Sequence, residues 1–210
     1  MSAPSANTSG RPSPTTADHV WEDLHDKIEM IIDGGSVEIG LESTILDMTV
    51  SPPMILRPGY ITQEMLTDVL SEEVRIDPGI IASNSEQKPK APGMKYKHYA
   101  PKADLILVEG ETGKVIETIN RLAGERRAAG KKVGIIATDE TMEHYDGADT
   151  VSIGARSDED AIARHLYKLL REFDDRGADI IYSESFATPR IGQAIMNRLL
   201  KAAGHQIITV

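Results

Sequence analysis

In the first third of the chain, apolar positions recur with period two in short runs separated by turn residues. Val37, Ile39 and Leu41 alternate with Ser36, Glu38 and Gly40, which predicts a half-buried strand. Ile28 to Ile32 reads as a β-run closed by Asp33-Gly34-Gly35, and Thr44 to Val50 as another closed by Ser51-Pro52-Pro53. Met54 to Leu56, ended by Arg57-Pro58-Gly59, and Val74 to Ile76 add two more. Two helices fit between them. Thr15 with Asp18 makes a capping-box pattern ahead of Val20, Trp21 and Leu24, and Thr62 caps a helix that turns Met65, Leu66, Val69 and Leu70 inward. Strands and turns at this density predict part of a mixed sheet over residues 1–81.

Residues 82–102 break the pattern with prolines, a glycine and many polar groups, the signature of a linker. Its second half is less bland, since Lys95, Tyr96, Lys97, His98 and Tyr99 are consecutive. From Ala103 the rhythm changes again. Strand Leu105–Val108, a helix over Thr112–Ala129 and strand Val133–Ala137 form a βαβ unit. A strand at Thr150–Ile153 then leads to Ser157, which caps a long helix reaching Asp175. Strand Asp179–Ser183, a helix from Pro189 to Ala203 and strand Gln206–Val210 close the chain. This alternation predicts a small three-layer parallel α/β domain over 103–210 with right-handed crossovers.

Composition narrows the picture. Aromatic residues are 4% against 40% apolar overall, so the cores are expected to be aliphatic. A net charge of −10 argues against a surface that coats nucleic acid broadly. The chain has no cysteine, which excludes disulfides, iron–sulfur clusters and thiolate zinc sites. No apolar run reaches membrane-span length and no signal peptide precedes the body, so no membrane contact and a cytoplasmic location are expected.

Three strings could carry chemistry. Ala3 to Ser13 packs short hydroxyls, an amide, a glycine and Arg11 into eleven residues, a composition able to cradle an anion; a flexible polar tail has the same composition. Gly40-Leu41-Glu42-Ser43-Thr44 delivers hydroxyls beside a carboxylate, or is simply a strand with a Ser–Thr face. Arg57 ends a strand at a sharp turn, where an arginine is either solvated or placed to clamp a phosphate or carboxylate. Neither the Walker A nor the G-x-G-x-x-G pattern is present. The histidines show no metal-ligand spacing, and no metal site is predicted. Asp158-Glu159-Asp160 reads as compensation of a helix dipole, and Arg164, Lys168 and Arg171 as a salt-bridged surface.

Taken in order, SAPSANTSGRPSPT, GLESTILD, ILRPG and APGMKYKHYAP closely resemble the two-domain threonylcarbamoyl-AMP synthases. Residues 1–81 are similar to the back part of the YrdC-like catalytic domain, 82–102 to its linker and 103–210 to the Rossmann-like C-terminal domain. The resemblance implies a nucleotidyltransferase that joins L-threonine, bicarbonate and ATP, with Mg²⁺, into threonylcarbamoyl-AMP and pyrophosphate. That product serves the t⁶A modification of tRNA. It further implies that Ser5, Ser13 and Arg57 contact ATP, with Asn7 shaping the same loop. Ala3 and Ser43 would border threonine, and Tyr99, or else Tyr96, would close over the nucleotide. No single residue is assigned a covalent catalytic role.

The family pairs its Ser-x-Asn element with an upstream Lys-x-Arg, and none precedes Ser5 here. The expectation is therefore a fragment that does not complete the reaction alone. Apolar surface would be left open on residues 1–80, with self-association as a consequence. tRNA and proteins of the t⁶A pathway are candidate partners. A non-catalytic RNA-binding or interaction module is the competing class, and would need a basic aromatic stripe that only Lys88–Lys102 approaches. In the C-terminal part, the loops Gly110–Thr112, Thr138–Glu140 and Ser183–Arg190 sit where an open parallel sheet binds ligands, in a unit expected to regulate or scaffold.

Overall fold

The computed structural model describes residues 6–81, 98–186 and 190–210. The parallel α/β unit forms as expected, from β4 (Asp104–Glu109), α4 (Thr112–Ala128), β5 (Val133–Ala137), a 3₁₀ turn at Met142–His144, β6 (Asp149–Ser152), α5 (Glu159–Asp175), β7 (Ile180–Glu184), α6 (Gly192–Ala202) and β8 (Ile207–Thr209). The strands lie in the order β6-β5-β7-β4-β8, all parallel. β5 and β7 are buried along their whole length, so both faces must be apolar and their sequences run hydrophobic without a break. Alternate residues feed opposite layers. Val108, Ile135 and Ile180 pack with Val115 and Ile119 of α4, whereas Leu107, Ile136 and Ile181 pack with Leu166, Leu170 and Phe173 of α5 and with Ile195 and Leu199 of α6. Each fully buried side chain of this kind contributes about 1.5–3 kcal/mol.

Helix starts differ from expectation by a residue or more where a better acceptor is available. α5 is capped by Asp158, whose carboxylate accepts from the Ala161 N–H at 2.9 Å, rather than by Ser157. Glu159 is not an exposed dipole charge. It is buried and accepts from the Ile191 N–H at 2.6 Å, tying the start of α5 to the start of α6.

The first eighty residues are less regular than their pattern suggests. They contain α1 (Ala17–Leu24), β1 (Ile45–Asp47), β2 (Met54–Arg57), α2 (Gln63–Leu70), β3 (Arg75–Ile76) and a single turn, α3 (Pro78–Ile81). β1 and β2 pair antiparallel, and β2 and β3 parallel. Neither Ile28–Ile32 nor Val37–Leu41 is a strand. Alternation alone cannot hold an extended backbone that lacks a neighbouring strand to receive its N–H and C=O groups, and the described residues offer none. Val37 and Ile39 are exposed; Leu41 alone of the three packs on the core. α1 is capped by Thr16, not Thr15, and the residue it buries is Asp23. Thr62 does cap α2, but that helix buries nothing fully, and Val69 is 82% exposed. The open apolar surface expected on residues 1–80 is present, with Trp21, Met30, Ile32 and Met48 all exposed.

This region docks on the α5/α6 layer at close range. Gly40, at φ +75°, lies so near α5 that a Cβ would meet the Ala163 carbonyl at 2.6 Å. A Cβ on Gly59 would meet the Thr44 nitrogen at 2.5 Å, so the Arg57-Pro58-Gly59 turn can approach the Glu42–Thr44 backbone only as glycine.

Native-state hydrogen exchange should be graded along these lines. Amides of β4, β5 and β7 should exchange slowest, through global unfolding, and those of 28–39 within seconds to minutes. Protection of 28–39 equal to that of β5 would contradict the fold described.

Candidate functional site

The C-terminal helices place two arginines in the interior of the molecule. Arg171 of α5 is 1% exposed and Arg198 of α6 is 0% exposed. A buried guanidinium requires matched acceptors, and both find them in the N-terminal strings. Arg171 forks onto Asp23 at 2.8 and 3.3 Å and donates to the Pro12 carbonyl at 2.7 Å. Asp23 also accepts from Arg11 at 2.6 Å and from the Thr8 N–H at 3.2 Å. Loop 6–13 is thereby stitched to α1 and α5 together. Asn7 closes the loop from inside, donating to the Thr8 and Arg11 carbonyls at 3.1 and 3.3 Å.

Arg198 organises the other two strings. Its Nε donates to Glu42 Oε2 at 2.8 Å, and its terminal nitrogens donate to the carbonyls of Glu42 and Pro58. Glu42 is the hub. It also accepts from Ser13 Oγ at 2.5 Å and from the Tyr167 hydroxyl at 2.9 Å. Burial alone would raise its carboxyl, but the Arg198 charge and the hydrogen bonds from Ser13 and Arg198 hold it below the ordinary value. The next residue, Ser43, accepts from Arg57, its carbonyl at 3.1 Å and its hydroxyl at 3.4 Å. Tyr99 is buried with its ring against Tyr167. It has φ +63°, and the next N–H, that of Ala100, donates to the Gly10 carbonyl at 3.0 Å.

The residues singled out from sequence thus converge where they are described. Ser13, Ser43, Arg57 and Tyr99 surround Glu42, with Asn7 in the adjoining loop. Ala3, Ser5 and Tyr96 lie outside the described residues. Sequence reasoning missed Glu42 as a hub, together with Tyr167, Arg198, Asp23 and the buried state of Arg171, which was expected on a salt-bridged surface. A cavity of about 300 Å³ lies between the turn after β2 and the start of α6, with Pro58, Tyr60, Gln63 and Ala194 among its walls. Ser13, Ser43 and Arg57 are not among them, so the cavity is separate from the cluster.

Of the loops expected to bind ligand, the described parts of those after β5 and β7 are tied to each other. Glu184, almost fully buried, accepts from Thr141, from Tyr145 at 2.7 Å and from Arg156, which also donates to the Ser185 carbonyl at 2.9 Å. The cavity beside them, about 30 Å³, has room for about one water.

Sequence and structure comparisons fit this geometry. The family model described as "Threonylcarbamoyl-AMP synthase, C-terminal domain" matches residues 61–204, and one described as "Telomere recombination" matches 1–59. The chain belongs to the threonylcarbamoyl-AMP synthase family. It is 47% identical to the threonylcarbamoyl-AMP synthase of Pyrococcus abyssi over all 210 residues, and 44% identical to that of Bacillus subtilis over 99% of its length. It spans 59% and 58% of those two relatives. The crystal structure of P. abyssi Sua5 complexed with L-threonine superposes with a TM-score of 0.86 at 45% identity, over 99% of this chain and 59% of that one. A P. abyssi variant with a histidine and the tyrosine after it both replaced by alanine superposes at 0.87 with 44% identity, over 99% of this chain and 58% of its own. This synthase-family chain is α/β, with a small mixed sheet and a five-stranded parallel one. Among its described residues no helix is long and apolar enough to cross a membrane.

The buried pairs set two expectations. Arg198→Ala leaves the Glu42 carboxylate without its charged partner and should cost about 3–5 kcal/mol in denaturant unfolding, and Arg171→Ala, which leaves Asp23 still paired with Arg11, should cost less. Acid should act on the same contacts. Folded-state values of Asp23 and Glu42 lie below their unfolded ones. Their contribution is therefore complete above the unfolded carboxylate values, near pH 4, and is lost as pH falls through the depressed folded values. Glu42→Gln should flatten that part of the stability–pH curve, and an unchanged slope would remove Glu42 from the account.

Proposed function

We propose that this chain supplies the nucleotide- and threonine-facing wall of a threonylcarbamoyl-AMP synthase acting in tRNA t⁶A formation. The observation that carries the reading is the gathering of Ser13, Ser43 and Arg57 around one partly buried carboxylate, Glu42, in a chain 45% identical to a Sua5 solved with L-threonine. In this reading threonine lies beside Ser43, and the phosphate chain of ATP lies against Arg57 and Ser13. Ala3, Ser5 and Tyr96 would complete the same wall from the segments on either side. The boundaries at 81 and 103 separate this wall from the unit that braces it.

The chemistry asks mainly for positioning and charge. The threonine amine takes up the carbon of bicarbonate with loss of water, and a carbamate oxygen attacks the α-phosphorus of ATP and expels pyrophosphate. An arginine held in place beforehand stabilises the developing phosphate charge without reorganising. Arg57 is so held, by the Ser43 carbonyl and hydroxyl. No three acidic or histidine side chains gather among the described residues, and Glu42 has its oxygens committed. Mg²⁺ would therefore come with the triphosphate rather than be held by a protein cage.

Calorimetry with the 210-residue chain tests this. ATP and L-threonine should both bind, Arg57→Ala should weaken ATP by about tenfold or more through loss of a charge-assisted contact, and Ser43→Ala should act chiefly on threonine. Binding without threonine-dependent pyrophosphate release is expected of these residues alone, since few described cations face the triphosphate. If neither ligand binds, or if Arg57→Ala leaves ATP affinity intact, the reading fails.

A further inference from the structure

α6 carries a second cation one helical turn beyond Arg198. Lys201 is 6% exposed as a residue, unusually buried for a lysine. Among the described residues its Nζ makes no hydrogen bond or close ion pair. The charges acting on it are Arg198 and Arg57, with Glu42 as the opposing carboxylate. That carboxylate is already engaged by Arg198, Ser13 and Tyr167. Among the described residues Arg57 donates to the carbonyl and hydroxyl of Ser43, both neutral groups. Three cations therefore converge on one occupied anion. The Lys201 carbonyl accepts from the His98 N–H at 3.3 Å, which brings the segment carrying Tyr99 to the same spot. His98 Nδ1 is also buried there without a described partner.

Excess positive charge among largely buried groups costs stability unless something negative joins it. The ammonium registers the cost, since burial first, then the Arg198 and Arg57 charges, lower its pKa to about 8. A second carboxylate would have neutralised the cluster permanently, and the described residues provide none. The vacancy in charge suits an anion that comes and goes.

We propose that Lys201 is a phosphate-contacting residue, which α6 of the C-terminal unit contributes to the same site as Arg57. The inference rests on the nucleotide reading above but names a residue outside all the strings that suggested it. It also gives the C-terminal unit a direct part in ligand binding beyond bracing. Arg198, committed to Glu42 and Pro58, is the positioning residue, and Lys201 carries the charge left over.

The test uses the whole chain with ATP, inorganic pyrophosphate and L-threonine as separate probes. Lys201→Gln should weaken pyrophosphate and ATP about tenfold or more, reduce the salt dependence of their binding and leave threonine affinity unchanged. Lys201→Arg should restore most of the loss, and Lys114→Gln on α4 should change nothing. NMR of labelled lysine side chains gives a reading without a variant, which decides if Lys201→Gln does not fold: the Lys201 titration should move upward from about 8 when pyrophosphate is added. If ATP and pyrophosphate bind in an Arg57-dependent way while Lys201→Gln binds them equally and its titration stays put, Lys201 is excluded and the nucleotide reading stands. If pyrophosphate binding needs Lys201 but ATP does not bind, the anion site stands and the nucleotide reading falls. No anion binding to the wild-type chain overturns both.

Discussion

Two guanidinium groups, buried where water cannot reach them, decide how the first sixty residues are arranged. Arg171 and Arg198 each have several donors to satisfy, and the core around them is mostly apolar, holding Phe173, Phe186, Tyr99 and Tyr167 as well as the aliphatic side chains expected from composition. Their acceptors come from Asp23, Glu42 and the carbonyls of Pro12 and Pro58. An apolar contact of the same area would tolerate sliding by a residue or two. A forked guanidinium on one carboxylate does not, because a shift leaves charges buried and unpaired. Register is thereby imposed on segments with little regular structure of their own.

That division of labour explains how a short, strand-poor region can present organised side chains. β1 and β2 are brief, and α2 buries no residue fully. Loop 6–13 has no secondary structure to hold it. Its geometry comes from Thr8, Arg11 and Pro12, each fixed to Asp23 or Arg171. The rigid sheet thus acts at a distance through α5 and α6, and loop residues inherit their precision from helices more than a hundred positions later in the chain.

How much of this was legible in the sequence follows from the range of the interactions. β5 was readable to the residue, because Val133–Ala137 is an unbroken apolar run between lysines and a threonine. Caps slipped only where neighbouring residues compete for one job, as Thr15 with Thr16 or Ser157 with Asp158. Val37–Leu41 was misread because alternation reports which side chains could share a face, and a strand also needs a partner for its backbone. The site divides the same way. Ser13, Ser43 and Arg57 stand in recognisable strings, whereas Arg171 sits at a spacing that reads as an ordinary charged face. Nothing local separates it from Lys168, which is exposed. Its partner is 148 residues away, and a pairing of that range leaves no periodic trace.

Charge gives the last step. The chain as a whole is strongly acidic, at −10, yet the cluster around Glu42 holds more cations than carboxylates. A long-range field of that sign repels polyanions, while a recessed group of arginines beside a lysine attracts a small one at short range, within the roughly 8–10 Å over which salt leaves such fields unscreened. Broad surface charge and local charge therefore select for different ligand sizes. The surface disfavours adhesion to bulk nucleic acid, whereas the proposed anion site would favour a compact phosphate. Because two of the three cations come from α6 and one from the end of β2, the cluster exists only when both parts are docked. The buried Arg198–Glu42 pair is the contact that makes docking and charge assembly a single event.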